Sequence, residues 1–498
     1  MRLIIARGLL PVACCLSPVV WGCGPRGAGS SSQVGESTYS ESGSGSGSGS
    51  GAESIDEDEA LRRALVARHR GDLKTARVWA GRAGERGAAL LAEIERGERV
   101  DSSLVAVLLP LSGRHAGIGR EMRIAIELAG GGRAGGRLVF HDTRGEEAEA
   151  ERLVERAFAD GAVGVLGPVG QAESRAAATR AAELGLPIAV LAPGVAAAPS
   201  AGLFRLWPSP EWEAAEAARL AVALGHDRLA VLAPRDDQGA AQTAAFRRAA
   251  TAAGAEVVAV GDYDPTGSEL EPDLKRFLGL DPMHNERLRR HLRAKGTKQG
   301  WKSFSPDIAF DLLYVPDEHT RAALVASYLP YFNIEVRNSD VMDTLALRKK
   351  HGGRLPSVVQ LLGSSAWHHG GLIPRGGPAV DGALVVIACG GVGTAGDEQQ
   401  LDVGDDAADF IERFEQRTGR PPGPVAAQAH DAARLFLAAR SAAAARRGAA
   451  PRTALSTALA TAELRDGACG PSRVIAGALT VAAGLLQVDG DEFTPVDQ

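Results

Sequence analysis

Continuous apolar runs alternate with amphipathic stretches along most of this chain, starting at residue 101. Residues 104–109 are apolar throughout and predict a strand, and 110–117 read as a loop. Ile118, Met122, Ala125 and Ala129 then share one helical face, which Gly130, Gly131 and Gly132 terminate. The alternation continues with strand 138–140, helix 147–160, strand 163–166, helix 171–184 closed by Gly185, and strand 187–191. A second series follows Trp207 and Pro208: helix 211–224, strand 229–233, helix 240–253, strand 256–260 and helix 268–278. Strands 308–315, 358–362 and 383–388, helices 405–417 and 425–447, and a strand pair within 476–488 complete it. Strands apolar on both faces, alternating with helices, imply parallel sheets covered on both sides. The expected fold class is α/β: two doubly wound parallel-sheet lobes with an interlobe cleft. Lobe 1 takes 101–206 plus 392–465, and lobe 2 takes 207–391 plus 466–498.

Ahead of the lobes, 55–99 predict a small helical hairpin. Leu61, Ala64 and Leu65 share one face, and Leu73, Ala76, Trp79, Ala80 and Ala83 follow the break at Gly71 and Asp72. The stretch RHRGDLKTARVWAGRA resembles the Gly-Asp turn of a tetratricopeptide-type (TPR-like) hairpin; a plain amphipathic hairpin fits as well. One hairpin cannot bury its own apolar face, so it must pack on the body or on a partner. Residues 24–54 are rich in Gly and Ser and bury too little apolar surface to offset their ordering entropy. They read as a flexible tether with an r.m.s. span of roughly 30 Å. Arg2 and Arg7 followed by the apolar stretch 9–20 read as an export signal over 1–22, too short and too broken by Pro11 and Pro18 to span a membrane. Gly22 before Cys23 resembles the lipobox of bacterial lipoproteins, although Trp21 is an unusual occupant. That resemblance implies an acylated Cys23, carrying palmitate-type chains, and a periplasm-facing envelope protein. Gly24 after it points to the outer membrane. An ordinary secretory signal with a chance Cys is the alternative.

Hydrophobic residues make up 45% of the chain, enough for a sizeable core outside the tether. A net charge of -6, from 55 basic and 61 acidic residues, argues against a nucleic-acid binder. Cys389 and Cys469 are the cysteines left for the folded body, either as a disulfide or as two separate buried thiols. No CxxC and no Cys/His grouping has metal spacing, so neither a metal nor a cofactor is expected.

VAVLLPLSGRHAGIGREMRIAIELA resembles the opening of type I periplasmic binding proteins, such as the branched-chain amino-acid receptors. FHDTRGEEAEAERLVERAFADGAVGVLGPVGQAESRAAATRAAELGLPIAVLAP continues that likeness, and matching segments extend it over about 103–490. A narrower likeness lies in ERLRRHLRAKGTKQGWKSFSPDIAFDLLYVPDEHTRAALVASYLPYFNIEV, which resembles the penicillin-binding protein activator (LpoA-like) branch. Asp307, Phe310, Pro316, Tyr331 and Phe332 carry it. The resemblance implies a lipoprotein that binds a class A penicillin-binding protein and stimulates peptidoglycan synthesis. Two features depart from that branch: a single hairpin stands where it has a long helical-repeat domain, and residues are added around 337–350.

In solute-binding relatives, loops after the lobe 1 strands hold the ligand with hydroxyls and backbone N–H groups. Here those loops offer Ser112, Gly170, Gln171, Ala192, Pro193 and Gly194, with few of the hydroxyls a carboxylate needs. From lobe 2, Asp236, Gln238, Ser364, Ser365 and Trp367 are the cleft candidates. Asp236 suits a ligand ammonium, but an N-cap or a solvated loop acid is the preferred reading. Gly391, Gly393 and Gly396 fit GxGxxG, yet no helix opens on them and five acids follow, which a pyrophosphate would not tolerate. His368 and His369 beside Ser364 and Ser365 read as cleft-rim residues, because adjacent strand residues point to opposite faces and GSSAW is not a nucleophile elbow. The basic run 284–294 with Lys295, Lys298 and Lys302 reads as a solvated helix face, with docking of an acidic partner or the glycan-rich wall as the sharper alternative.

These residues predict a non-enzymatic envelope lipoprotein that activates a class A penicillin-binding protein. The alternative is the solute-binding component of an ABC importer for amino acids or similar small molecules.

Overall fold

The computed structural model describes residues 56–70, 72–131, 135–267, 269–338, 343–389, 405–446 and 448–496. Cys23 and the glycine motif at 391–396 lie outside them.

The N-terminal unit has three helices where a hairpin was expected: α1 Glu57–His69, α2 Leu73–Arg82 and α3 Gly84–Glu98. The extra helix supplies Leu90 and Ile94, which close a small core with Ala64, Ala76 and Ala80. Asp72 caps α2 by accepting the Thr75 N–H at 3.0 Å.

Lobe 1 opens with β1 Asp101–Leu109, α4 Ala116–Gly130, β2 Arg137–Asp142, α5 Glu147–Ala159, β3 Ala162–Leu166, α6 Gln171–Leu184, β4 Ile188–Val190 and β5 Leu203–Arg205. Lobe 2 follows with α7 Pro210–Ala223, β6 Arg228–Pro234, α8 Asp237–Ala252, β7 Glu256–Tyr263, α9 Glu271–Phe277, α10 Glu286–Lys295 and α11 Thr297–Ser303. It continues through β8 Leu312–Val315, α12 His319–Tyr331, β9 Ile334–Val336, α13 Thr344–Lys350, β10 Ser357–Gly363, α14 Leu372–Gly376 and β11 Leu384–Ile387. The chain returns to lobe 1 with α15 Asp405–Thr418, α16 Pro424–Ala444, α17 Pro451–Leu459, β12 Glu463–Leu464, β13 Ser472–Ile475 and β14 Ala478–Val481. It ends in lobe 2 with β15 Gly484–Asp489 and β16 Glu492–Pro495.

The sheet orders are β12-β13-β14-β5-β4-β3-β1-β2 and β16-β15-β11-β10-β8-β6-β7. Both centres are parallel, as the apolar runs imply. One side of each sheet ends in antiparallel pairs made by the end of the chain, so the sheets are mixed. This moves the last lobe boundary. Residues 466–481, expected in lobe 2, extend lobe 1, with β14 pairing parallel to β5 at Ala478 and Arg205. The 476–488 run is not a strand pair: β14 and β15 belong to different sheets and only Ala482 and Ala483 separate them. The physical gain is that β5 and β11, which would otherwise be edge strands, acquire partners. One helix face also shifts. Met122 and Ala125 are buried as expected, but Ile118 is 45% exposed and Ala116, Gly119 and Ile126 face the core.

The helical unit packs on lobe 1, with Leu73 against the cluster formed by α5, α6 and their strands. Arg180 on α6, 2% exposed, donates to the Arg68 carbonyl at 3.2 Å and to Glu183 at 2.6 Å, and reaches Glu155 at 2.7 Å. Arg68 in turn donates to Glu93 and Glu155. Cys389 and Cys469 form a disulfide, with Cα atoms 4.2 Å apart and a sequence separation of 80.

Two outcomes follow from this packing. Arg180→Ala removes the buried cation from Glu183, leaves Glu155 with Arg68 alone, and is expected to cost about 2 kcal/mol, less than a fully buried pair because both carboxylates are partly exposed; limited proteolysis should then cut within 57–98 well before the lobes. Cys389→Ser with Cys469→Ser removes a long loop closure and should lower urea stability by about 4 kcal/mol in the chain-entropy picture.

Candidate functional site

Strand order reverses between β1 and β3 in lobe 1 and between β6 and β8 in lobe 2. At such a reversal, neighbouring loops leave in opposite directions and open a crevice beyond the carboxyl ends of the strands. The first loop of each lobe is built alike. A Cβ on Gly119 of α4 would lie 2.1 Å from the Pro110 carbonyl, and one on Gly239 of α8 would lie 2.1 Å from that of Pro234. Both helices therefore start hard against the strand end that precedes them.

Lobe 1 spends its backbone donors internally. The Asp142 carboxylate accepts N–H groups from Leu111 at 2.8 Å, Ser112 at 3.1 Å and Arg144 at 2.9 Å. Burial works against its charge, but these bonds outweigh it and hold the carboxyl below its usual range. The Gly170 N–H donates to Glu173 at 2.7 Å, so that donor too is engaged. Gln171 lies against Gly194 so closely that an added Cβ would sit 1.5 Å from its Nε2. The structure thus brings together Gly170, Gln171, Pro193 and Gly194, with Gln171, Pro193 and Gly194 at the surface. The exposed Gln171 amide is the polar group that this part of the rim presents.

Lobe 2 presents acids and imidazoles. Asp236 caps α8 by accepting the Gly239 N–H at 2.7 Å, which agrees with the preferred N-cap reading. Gln238 is exposed on the first turn. After β8, Asp317 accepts the Tyr263 hydroxyl, and burial, then the Asp317 charge, pushes the Tyr263 phenol far above its ordinary value. After β10, two expectations need correction. Trp367 is fully buried, not cleft-facing, because Gly363 leaves a slot in which the indole lies flat. Ser364 is 4% exposed and its carbonyl closes the short turn to the Trp367 N–H, whereas Ser365 is exposed. His368 and His369 diverge as expected: His368 meets Phe493 edge-on, and His369 stacks on His319 with ring centres 3.7 Å apart.

Sequence reasoning missed two members of this rim. Glu213, in the first turn of α7, accepts the Ser365 N–H at 2.7 Å. The residue is half-buried, and burial of its carboxylate pushes its pKa up against that hydrogen bond. The same charge raises the buried Tyr314 phenol, after burial itself. An acid in a first turn reads as an ordinary complement to the helix dipole, so no local signal marked it. His319 is the other, 50 positions from its stacking partner. Among the described residues, no group of three or more His, Cys, Asp or Glu is placed to hold a metal ion.

Residues 104–282 match the family described as periplasmic binding protein. No curated protein matches the chain. A putative branched-chain amino acid ABC transporter protein from Rhodospirillum rubrum superposes with a TM-score of 0.56 at 23% identity, covering 79% of this chain and 99% of that one. This chain has the type I periplasmic binding fold. An ABC transporter substrate-binding protein from Sphaerobacter thermophilus shares that fold at TM-score 0.55 and 20% identity, over 79% and 96% of the two chains. So does a solute-binding protein from R. palustris, solved with benzoate, at TM-score 0.51 and 19% identity over 80% and 96%. In a type I periplasmic binding fold, the two switch-point crevices described above face a common cleft.

Glu213 sets a pH dependence. Its folded pKa lies above its unfolded one, so stability falls as pH rises through the interval between them, beginning near the ordinary Glu value. Glu213→Gln keeps an acceptor for Ser365 and removes that slope. The variant should match the wild type in urea at pH 4 and exceed it at pH 7.5.

Proposed function

We propose that this chain is a solute-binding protein that takes a small, amino-acid-like molecule between its lobes. The carrying observation is the pair of switch-point crevices, one with a neutral amide rim and one with an acidic rim. Asp236, Asp317 and Glu213 on lobe 2 favour a ligand with an amino group, and Gln171 supplies an amide to the opposite end. The likeness to solute-binding proteins of ABC transporters supports this reading better than activation of a class A penicillin-binding protein. The helical unit is docked on lobe 1 instead of standing free as a long repeat domain, which also favours the receptor. The matched proteins are binding proteins rather than enzymes, in line with a non-catalytic role. The signal-like segment with Cys23 supports export and a lipid anchor in the cell envelope.

The test is a thermal-shift panel of amino acids, small amines and aromatic acids. A true ligand at a hundredfold excess over its Kd should stabilise by about 2.7 kcal/mol. Asp236→Asn with Asp317→Asn should weaken it at least tenfold if the amino group is read by lobe 2. No shift from any member, together with co-purification of a class A penicillin-binding protein from crosslinked membranes, would favour the activator instead.

A further inference from the structure

A second cavity, away from the cleft, has a chemistry of its own. It encloses about 310 Å³ between α9, α11 and the end of α12, lined by Lys275, Lys298, Trp301, Lys302, Tyr331 and Phe332. Helix α12 starts at the cleft with His319 and runs 13 residues, which puts its far end about 20 Å from that rim.

The cavity is shaped, not incidental. Phe332 is buried, while Tyr331 meets it edge-on at 5.2 Å and stays 66% exposed. Lys298, Trp301 and Lys302 fall at i, i+3 and i+4 on α11 and so share a face. The two walls are joined by Asn333, a non-glycine residue at φ 58°, whose amide donates to the carbonyls of Lys302 at 3.2 Å and Phe304 at 2.8 Å. Asn tolerates that left-handed backbone better than most residues.

Charge then narrows the occupant. Lys275 has its own partner, Glu271 at 2.6 Å, and lies 4.6 Å from the Trp301 ring centre. Lys298 and Lys302 have no carboxylate within 4.0 Å among the described residues. They belong to a segment, 284–303, with seven basic residues and one acid, in a chain whose net charge is -6. Three ammoniums, which donate and do not accept, dominate the polar side chains of the lining, and the Tyr331 hydroxyl is the one side-chain acceptor among the lining residues. A sugar needs acceptors for several hydroxyls and finds a single side-chain acceptor, Tyr331, in that lining. A flat apolar ring with an anionic group finds aromatic faces for the ring and two uncompensated cations for the charge. The volume, at the low end of ligand pockets, admits one such ring.

We infer that this cavity is a second ligand site, for a small planar anion: an aromatic ring bearing a carboxylate. The inference is independent of what the cleft holds. Its test is calorimetric titration of the purified protein with benzoate at low salt, alongside benzyl alcohol, acetate and glucuronate. Benzoate should bind and the other three should not, with affinity falling as salt rises. Lys298→Gln with Lys302→Gln, both on exposed side chains, should weaken benzoate at least tenfold with an unchanged melting temperature in its absence, and Trp301→Ala should also weaken it at least tenfold by removing the ring face, with a lower melting temperature because Trp301 packs on the lobe 2 core. Benzoate binding that is indifferent to the lysine pair and to Trp301 would place it elsewhere and overturn the assignment. So would absence of binding, or glucuronate binding as well as benzoate.

Discussion

A parallel sheet buried on both faces has to be covered by helices, and helices cannot cover the ends of its strands. That constraint shapes everything else in this protein. Each lobe wraps its apolar strands in α-helices and leaves its carboxyl edge to short loops. The reversal of strand order at β1/β3 and at β6/β8 then spreads those loops apart, so that polar side chains gather where the fold cannot close. Asp142, Glu173, Asp236 and Asp317 all sit there, and each spends at least one oxygen on a nearby backbone N–H.

The two rims differ in kind. Lobe 1 consumes its N–H groups in carboxylate-centred turns and offers an amide. Lobe 2 offers acids, among them Glu213, whose charge burial opposes, together with a stacked pair of imidazoles. A solute held between them would meet complementary chemistry at its two ends.

Much of the fold was legible in the chain. Runs such as 104–109, 229–233 and 358–362 are apolar at every position, a signature that a strand buried on both faces requires, and all three lie in strands of the sheet centres. The edges were illegible because β12, β13 and β14 are two to four residues long, too short to display a period, and because Ala482 and Ala483 carry no turn signal at the crossing between sheets. At the site, loop membership could be read but orientation could not. Trp367 beside two serines looks like a rim residue until Gly363 is seen to make room for it, and Glu213 looks like a surface acid until Ser365 closes over it.

The disulfide gives the lobes a mechanical relation that chain connectivity alone would not. Cys389 comes two residues after the last strand of the lobe 2 core, yet it and Ala388 are buried among lobe 1 side chains, bonded to the turn whose N–H groups Asp431 holds at 2.9 and 2.8 Å. The crossing strand is thus riveted to one jaw at the point where it leaves the other. Rotation about that rivet remains available, whereas sliding or wide separation of the jaws is denied, so the gape between them is limited by a covalent pivot.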